Sequence, residues 1–175
     1  MASDVGSLYD LAQATLTVAR TCLATTTAGT PAVYYVSPGS QPAFDCCPAL
    51  IVTAAGLSEE STSPLDITAQ GHRAAYGRLN LATLVVWALR CAPTVDTHGS
   101  VLSTDIEAVA EAVMEDAWAL WCGFYHAVQN GTFEDKCADV HFDRGLPIQE
   151  QGGCVGWFFT LRAQLDGIPN PGPGT

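Results

Sequence analysis

The stretch from Leu79 to Arg90 constrains this chain most. At the two-residue period of a strand, one face carries Leu79, Leu81, Thr83, Val85, Trp87 and Leu89, and the other carries Asn80, Ala82, Leu84, Val86, Ala88 and Arg90. A strand with one wet face alternates apolar with polar residues; this one is largely apolar on both faces. It therefore predicts a central strand covered on both sides, and the rest of the chain must supply the covers. With 175 residues, 48% of them hydrophobic, the chain is long enough for one ordinary core and short for two.

Two helices are the natural covers. Leu8, Leu11, Ala12, Thr15, Leu16, Ala19, Cys22 and Leu23 recur at helical spacing within a segment from Ser3 to Thr25. Ser3 or Asp4 can cap its start, and the run from Thr25 to Pro31 breaks it. The second helix is predicted from Thr104 to Val128. Thr104 and Glu107 fit a capping box, and Ile106, Val109, Ala110, Val113, Ala117, Leu120, Trp121, Phe124 and Val128 form its apolar stripe. Asn130-Gly131 supplies the stop.

Further strands are predicted at Ala32–Val36, at Leu50–Ala54, around Cys137–Asp143, and at Trp157–Leu165. Gly56 to Gly77, with Glu59 and Glu60, reads as a long loop, and Arg144 to Gly153 as turn material. The order α-β-β-β-α-β-β predicts an α+β domain, a mainly antiparallel sheet packed with two principal helices, over residues 1–166. Residues 167–175, rich in Pro and Gly, are expected to form a flexible arm.

Charge excludes several functions. Seven Lys and Arg stand against eighteen Asp and Glu, a net charge of −11, and Lys136 is the only lysine. No basic stripe exists to neutralise phosphates, so neither nucleic-acid binding nor an anionic membrane surface is expected. Charged residues are only 14% of the chain, against a usual ~25%, which predicts a surface largely covered by partners. No run of about 18 apolar residues and no basic leader appears, so neither a membrane span nor a secretory signal is expected. Glu107, Glu111 and Glu115 stack at i, i+4 along the second helix; the face is either a solvated one or one turned toward DNA or an arginine-bearing neighbour.

Catalytic patterns are sparse. Cys154, after two glycines, can be read as a nucleophile with His141 as base and Asp143 as orienter, the constellation of a cysteine hydrolase. The residues around Cys154 do not match the papain-type signature, and glycines before an aromatic strand mark a bulge or a close backbone approach more often than a nucleophile. There is no CxxC pair, no His-x3-His spacing and no phosphate-binding glycine motif, so neither metal nor cofactor is predicted. The seven cysteines are an odd number and are spread too thinly for a disulfide scaffold; most are read as small buried hydrophobes.

Several pieces together resemble one family. They are the Cys46-Cys47 loop, the strand ending Leu89-Arg90-Cys91-Ala92-Pro93, the acidic helix with Trp121-Cys122, and Gln151-Gly152-Gly153-Cys154-Val155-Gly156-Trp157 before the last strand. In this order they are similar to the head-to-tail connector proteins of tailed phages of actinobacteria. The likeness spans about residues 10 to 165, with the LRCAP and GGCVG stretches its specific parts, and the element order resembles the tail-terminator fold, whose members form hexameric rings. The resemblance implies a structural virion protein, not an enzyme: a ring of six copies, assembled in the host cytoplasm, that caps the tail tube and joins it to the head-side connector or stopper. The other neck rings, stopper or adaptor, are the neighbouring reading. DNA would pass through such a ring without specific binding, repelled by carboxylates for which Glu107, Glu111 and Glu115, or Glu59 and Glu60, are the candidates. Cys91 and Cys154 both fall in the family-like motifs at ends of strong strands, which implies that they lie close, as a disulfide or as packed thiols.

Overall fold

The computed structural model describes residues 8–42, 47–61, 78–94 and 100–165. In chain order the elements are α1 (Leu8–Leu23), β1 (Val33–Pro38), β2 (Ala49–Ser61), β3 (Arg78–Cys91), α2 (Ser103–Gln129), β4 (Asp139–Gln151) and β5 (Cys154–Leu165). The architecture is α+β. Five strands form one sheet in the order β1-β2-β3-β5-β4; β1 and β2 are parallel and every other pair is antiparallel. The fold class and element order are those the sequence predicts.

β3 is the central strand and both its faces are used. Ala82, Leu84, Val86 and Ala88 join Leu50 and Val52 of β2 and Phe159, Leu161 and Ala163 of β5 in the main core, beneath Leu11, Leu16 and Leu23 of α1 and Leu120 and Phe124 of α2. Val85, Trp87 and Leu89 belong to a smaller cluster on the opposite face, with Ala49, Ile51 and Cys154. Thr53 is buried there because the Trp87 indole N–H donates to its hydroxyl at 3.0 Å, which satisfies two polar groups at once. The helices pack so closely that a Cβ at Gly123 of α2 would overlap the Cys22 sulfur of α1.

The predicted boundaries fail where register shifts break the two-residue period. Gly56 to Ser61 is strand, not loop: β2 stays paired to β3 as far as Ser61 opposite Arg78, and the shift between Ala54 and Gly56 hides the alternation. The remainder of that predicted loop, 62–77, and the arm 167–175 lie outside the described residues. β4 likewise runs through most of the predicted turn, with shifts between Phe142 and Arg144 and between Ile148 and Gln151. As an edge strand it tolerates Pro147. The true turn is Gly152-Gly153, at φ 60° and 73°, the left-handed pair that a two-residue hairpin requires. The capping box does not form. α2 begins one residue earlier, at Ser103, and its N-cap, Leu102, makes no side-chain cap; the amides of Asp105 and Ile106 donate to the Leu102 carbonyl instead.

Candidate functional site

α2 presents an exposed ridge that is acidic at one end and aromatic at the other. Glu107, Glu111, Met114, Trp118 and Tyr125 are spaced four, three, four and seven residues apart, which puts them along one side of a 3.6-residue helix. Met114 is 61% exposed, Trp118 70%, Trp121 beside them 41% and Tyr125 57%. Ile106, predicted to be buried, is also exposed on the first turn, because the sheet lies under the later turns of the helix. Isolated exposed apolar residues are ordinary; four large ones in register over three turns form a patch of the kind that marks an interaction surface.

The sheet extends this patch. Met114, Ala117, Trp118 and Trp121 face Gly145 of β4 and Trp157 and Phe159 of β5 across a groove of about 310 Å³. Packed rings lie beneath it: Trp121 tilted against Phe142 at 4.9 Å, Phe124 stacked on Phe142 at 5.2 Å, and Phe142 stacked on Phe159 at 5.6 Å. Gly145 keeps the groove open, since a Cβ there would run into the Phe159 ring. These aromatics are legible in the sequence as helical and strand residues. Their exposure is not, because periodicity locates a stripe without showing how much of it the sheet covers.

The predicted acids separate. Glu107 and Glu111 are exposed at the start of the ridge. Glu115 is half-buried, and its carboxylate accepts the Thr27 amide at 3.0 Å and the Thr27 hydroxyl at 3.3 Å, which ties it to the turn after α1. Glu59 and Glu60 lie in β2, opposite Asn80 and Leu79, rather than in a loop; their side chains are outside the described residues.

Among the described residues one charged pair sits inside. Asp116 is buried on α2 and binds Arg90 at the end of β3: Nε donates to Oδ2 at 2.6 Å and Nη2 to Oδ1 at 3.0 Å. The guanidinium also donates to the Gly29 carbonyl at 2.6 Å and the Ala28 carbonyl at 3.3 Å, and the Thr26 hydroxyl lies 3.0 Å from Asp116 Oδ1. The pair thereby locks β3, α2 and the turn after α1, and it carries the platform on which the ridge stands. Sequence reasoning missed it. The available signal was an arginine at the end of an apolar strand and an aspartate on the inward side of an apolar helix.

The cysteines rearrange the other predictions. Cys154 forms a disulfide with Cys47, Cα to Cα 6.0 Å, so it offers no free thiol for nucleophilic attack. His141 pairs with Arg162 in the β4–β5 register, whereas Cys154 pairs with Gln151 at the hairpin turn, and a separation of eight residues along β5 is about 26 Å. Asp143 is with His141, near Arg162, so the three residues of the hydrolase reading are not brought together. Cys91 and Cys154 are cross-strand partners in the β3–β5 register, but Cys91 is a free, exposed thiol and the bond goes to Cys47, because the residues leading into β2 reach over the end of β3.

Among the described residues no group of three His, Cys, Asp or Glu side chains is placed to hold a metal ion, and no helix is long and apolar enough to cross a membrane. No family model matches the chain, and no curated protein is similar to it.

Proposed function

We propose that this chain is a structural assembly subunit of a phage neck: a tail terminator that forms a ring, with six copies the expected number, caps the tail tube and joins it to the head-side connector. The observation that carries an assembly role is the aromatic ridge of α2, solvent-facing on a rigid helix and continuous with an apolar groove. A face of this kind gains free energy when a neighbouring copy or the tail-tube protein covers it, and subunit contacts of Trp, Tyr and Met at a depleted-charge centre have the composition of interface cores. The sparse charge of the whole chain points the same way. The narrower assignment to a neck ring rests on the motif resemblance, and a stopper or adaptor ring would use the same face.

Within that reading DNA passes without being held. Of the predicted acids on α2, Glu107 and Glu111 are free to face a channel and Glu115 is engaged by Thr27, while the side chains of Glu59 and Glu60 lie outside the described residues. Ring assembly would place the copies' carboxylates around the opening, where they repel the duplex.

Electron microscopy of the purified protein, alone and mixed with tail tubes, tests this. The expected result is a ring with a central hole, or a cap on one tube end. A chain that stays monomeric at micromolar concentration, binds no tube and is absent from virions overturns the reading.

A further inference from the structure

We infer that Cys47, Cys91 and Cys154 form a thiol–disulfide exchange site, in which the Cys47–Cys154 bond and a Cys91–Cys154 bond are alternative states of the same sheet end. The three residues meet where the start of β2, the end of β3 and the start of β5 come together. Cys47 and Cys154 are bonded, with Cα atoms 6.0 Å apart. Cys91 lies against both: its thiol donates to the Cys47 carbonyl at 3.0 Å, and its Cα is the register partner of Cys154.

The register makes the alternative bond geometrically available. The Ala92 amide donates to the Gly153 carbonyl at 2.7 Å, so residues 92 and 153 form a hydrogen-bonded pair and 91 and 154, next along, a non-hydrogen-bonded pair. Pairs of that type bring opposed Cα atoms to about 4.5 Å with both side chains on one face. That separation falls inside the disulfide range of about 4.4–6.8 Å. Among the described residues Cys154 is therefore within bonding reach of two cysteines, and it is bonded to one.

Exposure decides which thiol reaches it. Cys154 is fully buried, so a reagent from solution has no direct path to its sulfur, while Cys91 is exposed and adjacent. Cys91 loses its proton to solvent; the thiolate attacks Sγ of Cys154; the Cys91–Cys154 bond forms as the Cys47–Cys154 bond breaks; and Cys47 leaves as a thiolate that takes a proton from solvent. The exchange is isoelectronic and needs no outside oxidant or reductant. The released Cys47 sulfur stands 3.4 Å from the Gly153 carbonyl, which can accept its new S–H. The structural consequence is a release. The Cys47–Cys154 bond ties the entry of β2 to the β4–β5 hairpin, whereas a Cys91–Cys154 bond joins only strands that the sheet already pairs.

Disulfide mapping of the native protein tests this. The protein is purified without reductant, held in mildly alkaline buffer, quenched with N-ethylmaleimide at intervals, and digested for mass spectrometry. At the first time point, Cys91 should carry the label and Cys47–Cys154 should be the bond found. With time a Cys91–Cys154 peptide should appear while label shifts from Cys91 to Cys47, faster at higher pH because the thiolate is the nucleophile. In Cys91→Ser, Cys47 labelling should fall to background. Cys47→Ser, checked for its fold by circular dichroism, should form the Cys91–Cys154 bond when treated with oxidised glutathione. A wild-type bond that stays at Cys47–Cys154 throughout, or a folded Cys47→Ser that yields only a glutathione adduct at Cys91, overturns the proposal. Ring formation and tube capping do not depend on either result.

Discussion

Asp116 accepts two hydrogen bonds from the guanidinium of Arg90, at 2.6 and 3.0 Å, in the interior between α2 and the end of β3. Both partners make further contacts: Arg90 donates to the Gly29 and Ala28 carbonyls, and the Thr26 hydroxyl lies against Asp116 Oδ1. This is the geometry in which a buried ion pair offsets its own desolvation.

Removing one partner strands the other. Asp116→Ala leaves a buried guanidinium without its carboxylate and should cost about 3–5 kcal/mol of stability. Arg90→Leu should cost a similar amount. The double substitution Arg90→Leu/Asp116→Leu should be less destabilised than the sum of the singles, because no unpaired charge remains. Urea denaturation of the three variants checks this, and additive losses would refute the coupling.

The same pair shows where the sequence is legible and where it is not. Leu84, Val86 and Ala88 alternate with Val85, Trp87 and Leu89, so β3 and its double burial follow from periodicity alone. α1 and most of α2 follow likewise. Asp116 occupies an inward position on α2, yet its neighbours Glu111 and Glu115 are acids too, and nothing local distinguishes the one that meets an arginine from those that meet water. The partner lies 26 residues away in sequence, and only the packing of α2 on β3 brings them together. Cys154 shows the same limit. Its register opposite Cys91 is a property of two adjacent strands, whereas its bond to Cys47 depends on the path of the chain into β2.

Glu115 should behave unlike its i, i−4 neighbours. Glu115→Ala removes the acceptor for the Thr27 amide and hydroxyl and should destabilise by about 1 kcal/mol. Glu107→Gln and Glu111→Gln lose no bond of this kind; each relieves like-charge repulsion of roughly 0.2–0.5 kcal/mol per pair, so stability should hold or rise slightly. Thermal melts at low salt separate the two outcomes. In an assembled neck, Glu107→Arg/Glu111→Arg should slow DNA ejection, with the delay shrinking as salt shortens the reach of each charge, about 8 Å at physiological strength. An unchanged ejection rate would remove these acids from the channel.

Cys22 predicts a pH dependence. Burial between the helices pushes its thiol above the ordinary value of 9.0, a hydrogen bond with its own backbone opposes this, and the nearby Cys122 adds to it. The folded protein therefore holds this proton more tightly than the unfolded chain. The stability linked to it is complete below the unfolded thiol's pKa and is lost as pH rises toward the folded value. Denaturation midpoints should fall more steeply on the alkaline side in the native protein than in Cys22→Ala. Parallel curves would show that Cys22 does not contribute.

Trp118 is the decisive residue for the assembly reading. It is 70% exposed, so Trp118→Asp removes little buried area and should change the stability of the isolated subunit by no more than about 0.5 kcal/mol. At a subunit contact the same change places a carboxylate in an apolar centre. Truncating a buried interfacial Trp costs about 2 kcal/mol or more, which is roughly 30-fold in affinity, and a buried charge adds to that. Trp118→Asp should therefore melt like the native protein yet fail to form rings or cap tubes in sedimentation and microscopy. Trp121→Ala is the contrasting case: Trp121 packs its ring, tilted, against Phe142 at 4.9 Å, so its loss should lower both stability and assembly. Normal assembly of Trp118→Asp would show that the ridge of α2 is not the contact and would leave the proposed function without its main structural support.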